Sequence, residues 1–151
     1  MNPFSDEQSS DSVAHDAFRS WIIDLEDDRE FEEVIRDIYD RLDWDTKLTQ
    51  ESRDGGYDIR LEKSGQSKLV EVKHSCNIGP SVVREISGTA LAENVTAVTV
   101  VAISFTIGAR EVATEIQENC HLQVELQNTY KLHGKFRRTE MWDLMDEYPV
   151  E

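Results

Sequence analysis

Several features are scarce in this 151-residue sequence, and each scarcity excludes something. Basic residues are few: 16 Lys and Arg against 31 Asp and Glu leave a formal net charge of −15, so a general basic footprint for nucleic acid is missing. Long apolar runs are missing too. The longest mostly apolar stretch, Val95 to Ile103, falls far short of the roughly 18–20 residues that cross a bilayer, which excludes a transmembrane helix. The two cysteines, Cys76 and Cys120, have neither metal-ligand spacing nor the density of a disulfide scaffold and are expected as buried free thiols. The N-terminal MNPFSDEQSSDS has no basic segment and no apolar segment of a secretory signal, so the expected location is the cytoplasm.

What is present still folds. Only 38% of the residues are hydrophobic, but they fall into periodic segments, and the length fits one domain with a single core. The acidic excess is spread from Asp6 to Glu151 instead of forming one tail, a pattern suited to high salt. In molar salt the Debye length shrinks to about 3 Å, so dispersed negative charge repels a polyanion far less than in dilute buffer.

The order of elements follows from periodicity. Residues 1–14 are polar and unpatterned and are expected as a mobile leader, with a short helix within 15–28. A clearer helix is predicted from Arg29 to Leu42, where Phe31, Val34, Ile35, Ile38 and Leu42 recur at helical spacing. Thr46–Gln50 reads as a short strand and Ser52–Gly56 as a loop with paired glycines. Tyr57–Glu62 and Lys68–His74 alternate as a β-hairpin. A helix from Gly79 to Leu91, a doubly buried strand at Val95–Ile103, a helix at Gly108–Asn119 and a strand at His121–Leu126 complete a core expected over 29–126. Residues 127–151 are expected as a polar C-terminal extension, with Met141, Trp142, Leu144 and Met145 on one amphipathic turn. The expected fold class is α/β (α+β), a three-layer domain with a mixed central sheet flanked by helices.

Strand periodicity concentrates chemistry on the hairpin. Residues two apart share a face, so Glu71 and Lys73 point one way and Val70 and Val72 the other; on the preceding strand Asp58 and Arg60 take the polar face. A two-residue loop at Ser64-Gly65 sets Asp58 opposite Glu71, with Cβ atoms about 4.5–5.5 Å apart. Two opposed carboxylates repel, and a divalent cation would resolve the conflict. Their oxygens suit Mg²⁺, which commonly binds through one or two carboxylates plus substrate phosphate. With Lys73 to orient a nucleophile or stabilise developing charge, the set has the parts of a phosphodiester hydrolase. From spacing alone, an ordinary solvated Glu/Lys pair remains the alternative.

The string Asp54-Gly55-Gly56-Tyr57-Asp58-Ile59, followed downstream by Glu71-Val72-Lys73, resembles the Mrr-type restriction endonuclease family of the PD-(D/E)xK nucleases. Phe31-Glu32 on the first clear helix, the Gly79–Leu91 segment and Ser104-Phe105-Thr106 before Ala109 are similar to further parts of that family, over residues 29–126. The resemblance implies a restriction-endonuclease-like fold and a metal-dependent endodeoxyribonuclease using Mg²⁺, with Mn²⁺ as substitute. It implies Asp58, Glu71 and Val72 at the metal, Lys73 as the catalytic lysine and Glu32 as an outer carboxylate, with Asp54 a rival first ligand. Many family members have Gln where this chain has Glu71. The DNA-recognition domain that commonly precedes the nuclease domain in that family is not expected in the residues before the first clear helix. A structure-selective enzyme resembling Holliday junction resolvases, a homodimer, or specificity borrowed from a partner protein are the readings this leaves open. A non-catalytic accessory module with the same fold is the competing one.

Arg53, Arg60 and Arg84 are the candidate DNA-binding residues, with Arg110 and the Lys135-Phe136-Arg137-Arg138 cluster as further phosphate contacts. His74 is expected as a packed or edge histidine, and the C-terminal Met141, Trp142 and Met145 as packing or dimer-contact residues. His15, His121 and His133 are too scattered for a zinc site.

Overall fold

A computed structural model describes residues 3–49, 56–139 and 141–150. Helix α1 (Pro3–Asp24) is followed by α2 (Asp28–Arg41), three strands, β1 (Asp45–Leu48), β2 (Ile59–Lys63) and β3 (Gln66–Lys73), then α3 (Pro80–Ala92), β4 (Ala97–Ala102), α4 (Ile107–Cys120), β5 (Gln123–Gln127), α5 (Thr129–Phe136) and α6 (Met141–Glu147). The strands form one sheet in the order β1-β2-β3-β4-β5, antiparallel from β1 to β3 and parallel from β3 to β5. This is the mixed, helix-flanked sheet that the sequence predicts.

Each face of the sheet buries its own cluster. On one face Ile59, Leu61, Val70, Val72 and Val101 pack against the apolar side of α2 and against Phe18, Trp21 and Phe136. On the other, Leu69, Val98 and Val100 meet Val83 and Ile86 of α3 and Ala109 and Val112 of α4. β4 lies between them and is buried along nearly its whole length, which explains its uninterrupted β-branched run. α2 starts cleanly because the Asp27 side chain accepts the Glu30 N–H at 2.9 Å. The hairpin turns at Ser64 (φ 51°) and Gly65 (φ 80°), two left-handed residues in a two-residue loop, and so fixes the register Ile59↔Val70 through Lys63↔Gln66.

Three expectations are corrected. The backbone of residues 3–14, expected as a leader, is already helical: Phe18, Trp21 and Ile22 anchor the later turns of α1, and extending a formed helix is far easier than nucleating one. The segment after 126 is part of the domain, because Leu132, Phe136 and Leu144 are buried and the Trp21 indole N–H donates to the Tyr148 carbonyl at 2.8 Å. Cys76 and Cys120 are free, as expected, but exposed; one lies in the loop after β3 and the other on the last turn of α4, where no core reaches them. No helix among the described residues is long and apolar enough to cross a membrane.

Candidate active site

Asp58 stands where β2 begins, and its position depends on Gly56. Gly56 has φ 78°, and a Cβ there would meet Thr89 Oγ1 of α3 at 2.4 Å, so both backbone angle and space demand glycine. The chain then reaches Asp58 out of regular pairing. The ladder to β3 ends at Ile59↔Val70, and the Asp58 N–H donates to the Val70 carbonyl at 2.9 Å. Its carboxylate takes the place of a strand partner, accepting the Val72 N–H on Oδ2 at 2.7 Å. The Asp58 carbonyl in turn accepts the Thr49 N–H at 2.9 Å. The side chain is thereby pinned by the strand that carries Glu71 and Lys73.

Two further carboxyl groups, those of Glu71 and Glu32, neighbour Asp58. Glu71 lies on β3 with its side chain 15% exposed, and Lys73 Nζ stands 3.8 Å from Glu71 Oε1. Glu32 projects from α2 and is buried, next to the fully buried Phe31 that anchors its helix to the sheet. Burial raises the Glu71 pKa to about 9, with the hydrogen bond and charge of Asp58 adding to the rise and Lys73 opposing it. Burial likewise raises Glu32 to about 8, again helped by the bond to Asp58 and its charge and opposed by Arg29. Burial and the neighbouring Asp58 thus both favour the protonated forms of Glu71 and Glu32, which eases the repulsion among the three carboxyls.

The donor set fits a hard cation. Glu71 and Asp58 offer oxygens that a divalent metal would share in place of the protons, and Mg²⁺ commonly needs only one or two carboxylates, the remainder coming from water and substrate. Among the described residues no group of three or more His, Cys, Asp or Glu is placed to hold a metal ion. Val72 could add only a main-chain oxygen, since its side chain is hydrocarbon and buried in the core.

The other candidates separate. Asp54 and Arg53 lie outside the described residues. Arg60 is engaged by Glu62 at 3.2 Å and by Glu93, at the end of α3, at 3.3 Å, so its charge is spent inside the fold. Arg84 is exposed on α3. His74 is locked: its Nε2 lies 2.6 Å from the Ile22 carbonyl, its backbone N–H donates to Asp28 at 2.8 Å, and its ring stands edge-on to Phe31. Sequence reasoning missed Thr49 and Arg29. The Arg29 guanidinium donates to the Thr49 carbonyl at 2.9 Å and ties α2 to the segment that holds Asp58. No motif flags this pair, because the bond joins two elements that meet only in the fold.

A family model described as restriction endonuclease, the Mrr catalytic domain, matches residues 23–134 and so spans Glu32, Asp58, Glu71 and Lys73. No curated protein matches the chain. With a match over well more than half its length and the fold that match implies, the chain belongs to the Mrr-type restriction endonuclease family.

Proposed function

We propose that this chain is a Mg²⁺-dependent DNA endonuclease, with Mn²⁺ as substitute, that hydrolyses phosphodiester bonds at the Asp58–Glu71–Lys73 site. The observation that carries the reading is the convergence of Glu32, Glu71 and Asp58, with two raised carboxyl pKa values, beside a lysine on the same strand face. Asp58 and Glu71 would hold the cation, Val72 contributing through its main chain alone. Once bound, the cation supplies charge stabilisation at the phosphate and lowers the pKa of a coordinated water.

The chain's own residues do the remaining work. Asp58 is fixed by the Val72 N–H on Oδ2, and its carboxyl interacts with those of Glu71 and Glu32. Lys73, half exposed beside Glu71, would orient the attacking water and offset charge as the water oxygen, giving up a proton to solvent, bonds to phosphorus and the bond to the leaving sugar oxygen, which takes up a proton from solvent, breaks. Glu32, from α2, holds the carboxyl cluster together and can keep or release a proton near neutral pH. The test is cleavage of linear duplex, methylated duplex, single-stranded and four-way-junction DNA with Mg²⁺ or Mn²⁺. Metal-dependent cutting of any of these supports the reading and identifies the substrate form; a folded protein that cuts none of them is instead a non-catalytic accessory module.

A further inference from the structure

The surface beside the site breaks the acidic rule of the molecule. α3, α4 and α5 all begin at the ends of β3, β4 and β5 that carry the site, and none has an acidic residue in its first turn, whereas α2 has Asp28 and Glu30 there. Each of the three instead carries an exposed cation near its start: Arg84, Arg110 and Lys131. Arg29, Arg36, Arg41 and Arg60 are each held by a carboxylate, but among the described residues Arg84, Arg110 and Lys131 are not. Helix stability does not account for them, because a cation near a helix N-terminus opposes the helix dipole. Their acidic neighbours Glu85 and Glu111 stand one residue further on, about 100° round the helix, and so do not face the same way.

Arg110 and Lys131 also share a groove. They come from opposite sides of the sheet and line one open cavity of about 780 Å³ along the free edge of β5, with Thr114, Gln117 and Asn128 as further polar lining. Glu125 is the carboxylate on that lining, and it is already engaged by Lys135 at 3.8 Å. Glu71 pairs with Val100 and Val100 with Leu126, so β5 stands two strands from Glu71, about 10 Å at the usual strand spacing, and because Val100 is buried beneath α3 and α4 the route between them passes over the starts of those helices.

We propose that the substrate duplex lies from the Asp58–Lys73 hairpin towards the β5 edge, its phosphates contacted by Arg84, Arg110 and Lys131, and not towards β1. The proposal rests on the nuclease reading but is tested separately from it. Binding of a fluorescent duplex is measured by anisotropy across a range of KCl, with Ca²⁺ in place of Mg²⁺ to hold back cutting, for the wild type and for Arg84→Gln, Arg110→Gln, Arg110→Glu and Lys131→Gln. Each loss of a phosphate contact should weaken binding and make the slope of log affinity against log salt shallower by about 1, with Arg110→Glu weakening it most. Lys47→Gln, exposed on the far edge strand β1, should leave the slope unchanged. If the wild type binds duplex and these substitutions leave affinity and slope as they were, or if Lys47→Gln alone lowers them, the path is overturned while the nuclease reading stands. A wild type that cuts DNA in the cleavage assay but binds no duplex here overturns the path alone; one that neither binds nor cuts overturns both.

Discussion

Glu71 sits between opposing neighbours: burial and Asp58 favour its protonated form, and Lys73 favours its carboxylate. Because its folded pKa, about 9, and that of Glu32, about 8, lie above the ordinary value of 4.5, the metal-free folded protein binds more protons than the unfolded chain between those limits. Their contribution to stability is therefore complete below about pH 4.5 and is lost as pH rises through 8 to 9. Urea denaturation in EDTA across pH 5 to 9 should show this fall, and Glu71→Gln should flatten it; an unchanged slope in the variant would contradict the electrostatic account. Divalent metal competes with the same protons, so its affinity should rise with pH over that window and each binding event should release protons to the buffer, as titration calorimetry in two buffers reads directly. The spacing of Glu71 and Lys73 and their shared face were legible in the sequence, as was the Asp58 side of the hairpin. The way Asp58 is held was not. It leaves the ladder because Gly56 passes against Thr89 and because Thr49 takes its carbonyl, contacts between segments distant in sequence.

At the scale of elements, the hairpin and the buried strand were readable because their signals are local: alternation, a Ser-Gly turn, and an unbroken β-branched run. The register through Ile59↔Val70 follows from that turn, and only its last step, Asp58 against Glu71, departs from regular pairing. α5 was not readable. Eight residues give periodicity too little length, and Leu132 and Phe136, four apart, are its main apolar sign. Yet Phe136 is fully buried against Phe18 and Trp21, at ring-centroid distances of 4.9 and 5.8 Å. Phe136→Ala should cost about 3–5 kcal/mol in chemical denaturation. A loss below about 1 kcal/mol, the range of surface substitutions, would show that the C-terminal segment is an appendage and not a part of the core.

Across the whole molecule, a net charge of −15 on one domain is self-repulsive, and salt that screens it should stabilise the fold. The denaturation midpoint should rise as KCl goes from dilute to molar; a midpoint highest in dilute buffer would remove the high-salt reading of the composition. Charge also shows why the position of the cations matters more than their number. Arg29, Arg36, Arg41 and Arg60 are tied to carboxylates within the fold, whereas Arg84 and Arg110 stand exposed near the starts of α3 and α4. The central claim is that the Asp58–Glu71–Lys73 hairpin cuts DNA, and it is tested most directly by metal-dependent cleavage compared between wild type and Lys73→Ala at matched folding. Loss of the lysine should lower the cleavage rate by at least about 100-fold while metal binding at Asp58 and Glu71 persists. Cleavage at the wild-type rate by folded Lys73→Ala would contradict the account.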